Sequence, residues 1–300
     1  MDCLSSCPLV SIITVNYNGF NDTCEMIESF YKYEIYYPYE IIVVDNGSHL
    51  PEAEVIRQKF SNIKVVQNTN NGFAGGNNAG LRAAEGEYYF FINNDTFINA
   101  PVIEALVQRI QNNPQNGGVS PMLKFAKVPN VLQYAGFTPL TPITLRNTSI
   151  GFMEKDQPRF HAAQETASLH GAAMMVKRDV IQKAGLMSEI YFLFYEELDW
   201  SAQILRTGYK LWYEPAAVVY HKEAMTAQKE SPLREFYLSR ARMIYARRNI
   251  IGFKKLLSCC YISGIAAPKK AISYLLHGKI TLTIAVIKGT YNGMICQLHQ

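Results

Sequence analysis

Apolar and polar positions fall into blocks along this chain, and the blocks have the lengths of strands and helices. Residues 9–15 form a β-branched, almost unbroken apolar run, as expected of a strand buried on both faces of a parallel sheet. The run stops at Asn16-Tyr17-Asn18-Gly19, a turn signal. Met26, Ile27 and Phe30 then keep helical spacing, with Asp22 or Thr23 placed to cap. A second strand over 40–44 runs into Asp45-Asn46-Gly47-Ser48. A helix through Val55, Ile56 and Phe60 follows, and then a strand over 63–66. The order β-α-β-α-β implies a doubly wound sheet with right-handed crossovers.

The rest of the chain is organised around residues 88–95. Tyr88 to Ile92 reads as a buried strand, and it ends on two amides and a carboxylate, Asn93, Asn94 and Asp95. Ligands of open α/β sheets bind beyond the carboxyl ends of the strands. Oxygen donors there suit a hard cation, Mg²⁺ or Mn²⁺, that bridges protein to phosphate. Taken alone, the same three residues also read as a polar turn. Upstream, residues 70–80 (Asn-Asn-Gly-Phe-Ala-Gly-Gly-Asn-Asn-Ala-Gly) read as a glycine loop whose amides approach a phosphate closely. A helix carrying Leu81, Ala83 and Ala84 would follow it and aim its N-terminus at the anion. The tract matches neither GxGxxG nor GxxxxGK[ST], so the Rossmann and P-loop fingerprints are absent.

Beyond Asp95 the pattern predicts a helix over 102–110 and a short strand over 117–122. Residues 124–165 read as irregular chain with Pro129, Pro139, Pro142 and Pro158, a long loop of the kind that often carries function. A strand over 170–176 precedes a helix over 179–184. Residues 191–195 lead into Glu196-Glu197-Leu198-Asp199-Trp200 at the start of another helix. Three acids there suit the helix dipole, and beside aromatic residues they could equally raise one pKa to that of a general base. Late strands are read over 211–215 and 216–221, the second ending on His221, a candidate metal or phosphate ligand.

Composition narrows the picture. With 48% hydrophobic residues in 300, a sizeable core is available and disorder is not the default. A net charge of +4 without a continuous basic patch speaks against nucleic acid. The charge is uneven: between residues 229 and 288 the only acids are Glu230 and Glu235. That bias fits an anionic membrane face or a phosphorylated ligand, and equally a solvated helical surface. The six cysteines (Cys3, Cys7, Cys24, Cys259, Cys260, Cys296) lack CxxC pairs and read as reduced thiols of a cytosolic protein. No secretory leader is apparent. No apolar run approaches the roughly 20 residues of a spanning helix, and the uncharged stretch over 256–268 reads as broken by Gly264 and Pro268. A cytoplasmic protein is expected, with peripheral contact at the inner membrane face left open.

Together these segments resemble family 2 glycosyltransferases. The resemblance lies in the order of residues 15–18, 43–48, 70–80, 93–95 and 195–199, and covers about residues 8–250. It implies a GT-A fold: a doubly wound mixed α/β sheet flanked by helices, with a helical C-terminal region. The implied organisation is a catalytic domain over 1–225, its nucleotide-binding half about 8–100 and its acceptor-side half about 101–225. A basic helical region over 226–300 follows. The glycine tract looks most like that of rhamnosyltransferases using dTDP-L-rhamnose.

Residue by residue, the resemblance implies that Asn16 and Tyr17 line the nucleotide pocket and Asp45 holds the base or ribose. Gly72, Phe73, Gly76 and Asn78 would shape the donor site. Asn93, Asn94 and Asp95 stand where the family has its DxD motif, with Asp95 as the metal-binding acid and His221 near the diphosphate. An amide at the first position departs from Asp-x-Asp and implies modest metal affinity. Glu197 occupies the place of the family's base, normally an Asp, and Asp199 is its rival. Gly171 would open a strand beside the acceptor.

The activity implied is inverting transfer of a sugar from a nucleotide-diphosphate donor to a saccharide or lipid-linked saccharide acceptor, in cell-surface polysaccharide synthesis. The tail after about residue 252 suits either a membrane surface or packing on the catalytic domain or a second subunit. Rival readings are the same fold with UDP-glucose, UDP-galactofuranose, UDP-N-acetylglucosamine or GDP-mannose, a nucleotidyltransferase, and a non-catalytic sugar-nucleotide-binding module. A nucleotidyltransferase would show a basic, Gly-rich loop after the first strand, and residues 16–21 are neither. A binding module would have no need of Glu197.

Overall fold

The computed structural model describes residues 9–222 and 230–298. The elements, in chain order, begin with β1 (Val10–Asn16), α1 (Phe20–Tyr33), β2 (Tyr39–Asp45), α2 (Glu52–Lys59), β3 (Lys64–Gln67), α3 (Gly72–Ala83) and β4 (Tyr88–Ile92). Next come β5 (Thr96–Phe97), α4 (Ile103–Gln111), β6 (Asn116–Phe125), β7 (Leu132–Tyr134), β8 (Gln164–Glu165), β9 (Ala173–Lys177) and α5 (Arg178–Ala184). The chain continues through α6 (Glu196–Arg206), β10 (Lys210–His221), α7 (Pro232–Asn249), α8 (Gly252–Tyr261), a π-helical turn (Ile262–Ala266), α9 (Ala267–Leu276) and α10 (Ile280–Ile295).

The described strands form one sheet in the order β3-β2-β1-β4-β9-β6-β10-β5, with β7 on β6 and β8 on β10. Strands β3, β2, β1 and β4 run parallel, as do β6 and β10, while β9 lies antiparallel between β4 and β6. Alternate residues of each central strand enter different cores. Ile12, Ile41, Val43, Phe90 and Ile92 pack with α1, α2 and α4 on one face. Ile13, Ile42, Val44, Tyr89 and Phe91 pack with α3, α5 and α6 on the other. Period-2 side chains buried on both faces are why these strands read as continuous apolar runs.

Several expectations are corrected. The glycine tract is not a loop preceding a helix but is itself α3. Gly76 and Gly80 turn one face of α3 onto the sheet, where a Cβ would come within 2.9 Å of Val15 and 2.4 Å of Ile13. α1 starts at Phe20 after an uncapped Gly19, and the Thr23 hydroxyl is spent on Asn16 instead. β6 is longer than the short strand expected, and residues 124–165 contain β7 and β8. The two late strands are one, β10, with a register shift between Glu214 and Val218 that accommodates Pro215. Gly264 and Pro268 do not end the helical run, because the π-turn carries it from α8 into α9.

Candidate functional site

At the carboxyl ends of β1 and β2, Asn16 and Asp45 are register partners. Asn16 Nδ2 donates to Asp45 Oδ1 at 3.0 Å, Ser48 Oγ at 3.2 Å and Glu52 Oε2 at 2.8 Å, and its Oδ1 accepts from Thr23 at 2.8 Å. Ser48 also donates to Asp45, and Glu52 Oε2 accepts from the Gly19 amide at 3.1 Å. Two carboxylates and a hydroxyl are thus gathered around one buried amide. Tyr17 stands exposed above them, edge-on to His49 at 5.8 Å. Sequence reasoning missed Ser48, His49 and Glu52. Ser48 was recoverable from the turn after Asp45, whereas Glu52, 36 residues from Asn16, carried no local signal.

The N-terminus of α3 lies beside this cluster. Asn46 Nδ2 donates to the Gly72 carbonyl at 3.1 Å, and the Phe73 amide to the Phe192 carbonyl at 3.1 Å. Gly72 has φ +86°, and a Cβ there would stand 2.2 Å from the Phe192 oxygen. Asn78 reaches the other way, to the Met187 carbonyl and Glu189, both at 2.9 Å. Gly72, Gly76 and Asn78 therefore fix how α3 sits between the sheet and the 187–192 segment. The Asn78 amide is occupied by Met187 and Glu189, and Gly76 is spent on packing against Val15.

At the end of β4, Asn94 Nδ2 donates to Thr23 at 3.1 Å, tying this turn to the Asn16 cluster. Asp95 Oδ1 lies 3.0 Å from His221 Nε2, and His221 Nδ1 lies 2.9 Å from Gln133. The pairing of β5 with β10 brings His221 opposite Thr96 and so delivers it from the far end of the chain. Burial alone would raise the Asp95 carboxyl. The hydrogen bond and charge of His221, with Lys222 adding, outweigh burial and hold it below its usual value. Asp95 keeps a 34% exposed side chain while His221 is buried. Among the described residues, no three His, Cys, Asp or Glu side chains converge as a metal cluster.

The third component is the start of α6. Phe194 and Tyr195 both have positive φ, 70° and 68°, a strained pair immediately before the acids. Burial raises the carboxyl of Glu196, and the neighbouring Glu197 adds to it; burial raises Glu197 as well. One Glu196 oxygen is buried without a hydrogen-bond partner among the described residues. Glu197 rests on Gly171, with its Cγ 3.6 Å from where a Cβ would be. The next residue, Ala172, accepts the Asn93 amide at 2.9 Å. The acid of α6 and the end of β4 are therefore separated by one strand end.

Asp199 is placed differently. It is fully buried and accepts from Arg248 (3.1 and 3.3 Å), Gln203 (2.6 Å), Tyr191 (3.2 Å) and Asn249 (2.5 Å). Beside Gly171, His170 stacks on Phe137 and takes the Ala172 amide on Nδ1, and burial lowers its pKa to about 3, so it stays neutral.

The glycosyl transferase family 2 profile matches residues 11–185. A hexosyltransferase of low-salt glycan biosynthesis, Agl10 of Haloferax volcanii, is 25% identical over 253 residues, covering 81% of this chain and 76% of its own. The uncharacterised glycosyltransferase EpsJ of Bacillus subtilis is 28% identical over 109 residues, 35% of this chain and 31% of its own. Among solved structures, mannosyltransferase PcManGT of Pyrobaculum calidifontis superposes with TM-score 0.58 at 18% identity, covering 97% of this chain and 88% of that one. GalNAc-T7 gives 0.65 at 17% identity, covering 96% of this chain and 56% of that one. The chain belongs to glycosyl transferase family 2: it is a glycosyltransferase with the GT-A fold.

Proposed function

We propose that this enzyme transfers a hexosyl group, L-rhamnose from dTDP-L-rhamnose in the first instance, with inversion, to a saccharide hydroxyl in cell-surface polysaccharide synthesis. The observation that carries the reading is the gathering of three groups at one end of the sheet, beyond the carboxyl ends of β1, β2, β4 and β10. These are the Asn16–Asp45 cluster, the Asp95–His221 pair and Glu197 on Gly171. PcManGT was solved with GDP-Man and Mn²⁺, and GalNAc-T7 with UDP, GalNAc and Mn²⁺, which supports a nucleoside-diphosphate sugar and a divalent cation for this chain too. The rhamnosyl assignment rests on the likeness of the glycine tract.

In this reading Asp45, held by Asn16 and Ser48, accepts hydroxyl or imino protons of the nucleoside, and Tyr17 offers a ring face to the base. The donor set at Asp95 fits Mg²⁺ or Mn²⁺, which is commonly held by one or two carboxylates, with waters and substrate phosphates completing the shell. Asp95 and His221 would hold the ion, whose charge offsets that of the departing diphosphate. Glu197 takes the proton of the acceptor hydroxyl as that oxygen bonds to the anomeric carbon. The bond from that carbon to the diphosphate oxygen breaks on the opposite face. Asp199, wholly engaged by four side chains, is a positioning group for α6 rather than the base.

Calorimetric titration tests the donor end: dTDP-L-rhamnose against UDP-glucose, each with and without Mn²⁺, on wild type and Asp95→Ala. Metal-dependent binding of the rhamnose donor alone, lost in Asp95→Ala, is the expected result. Preference for UDP-glucose would overturn the rhamnosyl assignment. Metal-independent binding that survives Asp95→Ala would overturn the cation site.

A further inference from the structure

A further set of side chains flanks Glu197, outside the Asp45 and Asp95 clusters. Residues 131–155 double back on themselves: the Leu132 amide donates to the Glu154 carbonyl, Ala135 to Ile150 and Thr138 to Thr148, at 2.8, 2.9 and 3.0 Å. The tip of this ribbon is tied to the C-terminal helices. Arg242 donates to the Thr144 carbonyl at 2.6 Å, and Ser258 to the Ile143 carbonyl at 2.9 Å. Its root carries Phe137, whose amide donates to Thr166 Oγ1 at 2.8 Å and whose carbonyl accepts from Ala167 at 3.1 Å. Phe137 and His170 lie ring on ring, 5.6 Å apart and within 6° of parallel, with Tyr134 edge-on to His170 at 5.1 Å. Phe137 and His170 are both half-buried, whereas Tyr134 behind them is fully buried.

The backbone fixes which nitrogen of His170 carries the proton. The Ala172 amide donates to Nδ1 at 3.1 Å, so Nδ1 is bare and the hydrogen of the neutral ring sits on Nε2. Protonating Nδ1 would break that bond, and burial and the charge of His221 oppose it as well. Nε2 has no hydrogen-bond partner among the described residues and is not one of their buried unpaired atoms, so it opens outward. Chain connectivity and contact set this donor beside the proposed base. His170 precedes Gly171, and Glu197 packs on Gly171 with its Cβ, Cγ and Cδ 3.6–3.8 Å from where a Cβ would be. Consecutive Cα atoms are about 3.8 Å apart, less than the width of a pyranose ring. One sugar residue therefore spans an aromatic face, a neutral N–H donor and a carboxylate, the elements that recognise a polyhydroxylated ring.

We propose that His170 and Phe137 bind the sugar that receives the transfer and select an uncharged pyranose. The apolar face of that ring lies on Phe137, His170 Nε2 donates to one of its oxygens, and a neighbouring hydroxyl reaches Glu197. A uronic acid is disfavoured, because its carboxylate would meet Glu197 and find only a neutral donor in His170. The proposal rests on the glycosyl-transfer reading above and deepens it. Two variants separate the inner and outer nitrogens of the ring. His170→Asn keeps an oxygen for the Ala172 amide and loses the outer donor, whereas His170→Gln keeps a donor at the outer position. The probes are the methyl glycosides of glucose, galactose and mannose, each beside its uronate. Nucleoside diphosphate release is followed on the full chain after thermal melts confirm folding. With neutral glycosides, KM should rise about tenfold in His170→Asn and in Phe137→Leu, the worth of one hydrogen bond or ring contact. His170→Gln should stay nearer wild type, and uronates should be poor throughout. Nitrogen-15 spectra of wild type alone, with His170 assigned through its backbone, should show a bare Nδ1 and an Nε2–H that shifts only with neutral sugars. An Nδ1–H tautomer, equal use of uronates, no response to any glycoside, or a KM raised in His170→Gln alone would overturn the subsite. Donor titration on the same preparations separates the two readings. Glycosides that shift Nε2 in a chain that binds no sugar nucleotide would sink the transferase assignment and leave the subsite. Donor binding without response to any glycoside would do the reverse.

Discussion

Glu197 and Asp199 lie two residues apart on one helical turn, yet the structure predicts opposite consequences for changing them. Asp199 is 0% exposed and offsets Arg248, whose side chain is only 11% exposed. Removing one partner of a buried ion pair strands the other, at a cost of about 3–5 kcal/mol. Asp199→Ala also strips acceptors from Tyr191, Gln203 and Asn249. At about 2 °C per kcal/mol for a chain of this size, its Tm should fall by roughly 6–10 °C. Glu197 has no such partners among the described residues, and burial disfavours its charged form, so Glu197→Gln should leave Tm unchanged or slightly raised. Its kcat should fall about 10²–10⁴-fold with donor binding intact, the usual loss on removing a general base. Differential scanning fluorimetry and initial rates of nucleoside diphosphate release, run on the same preparations, give both readouts. A Glu197→Gln enzyme retaining most of its kcat, beside an Asp199→Asn enzyme that melts normally and does not turn over, would refute the assignment.

Three further outcomes are expected. Burial, with the neighbouring Glu197 adding, pushes the Glu196 carboxyl up from its ordinary 4.5 to about 8. Between those values the unfolded chain binds fewer protons, so stability should fall as pH rises from about 4.5 to about 8. Glu196→Gln should flatten that slope in urea titrations, and an unchanged slope would count against it. Gly72→Ala combines a left-handed backbone with a clash at the Phe192 carbonyl and should cost about 2–4 kcal/mol, read from urea midpoints. Gly289→Ala should destabilise although alanine favours helices by about 1 kcal/mol. The added methyl meets the Phe236 carbonyl, and faster hydrogen exchange confined to α7 and α10 would report it.

The parallel half of the sheet was legible because burial on both faces leaves an unbroken apolar run, and β1, β2 and β4 end where those runs end. The helix α3 was not legible. Glycine and asparagine argue locally for a loop, and only packing against Val15 and Ile13 makes small residues necessary there. The antiparallel insertion of β9 was equally hidden, since an apolar run does not state its direction. Asp45, Asp95 and Glu197 stood out as candidates because each lies in the sequence just at or past a strand run or at a helix start. The groups that complete their surroundings did not: Glu52 on Asn16, Gln133 on His221 and Arg248 on Asp199 are brought in by tertiary contacts of high sequence separation.

The strained pair Phe194–Tyr195 shows why the C-terminal helices belong to the site. Left-handed backbone at two aromatic residues costs of order 1–3 kcal/mol each and persists only where the surroundings impose it. Phe192 is held at the N-terminus of α3 by the Phe73 amide and stacked on Tyr237 of α7 at 4.7 Å. Tyr195 lies 5.6 Å from Tyr245, and Arg234 sits 5.5 Å over Phe194. Four residues beyond Tyr195, Asp199 is anchored to Arg248 and Asn249 at the end of α7. The backbone that presents Glu197 is therefore gripped by the glycine helix before it and by α7 on both sides. The helix α3 and the proposed base are joined by one short segment held against α7, so displacement of α7 would move the base relative to the strand ends at which the donor is proposed to sit.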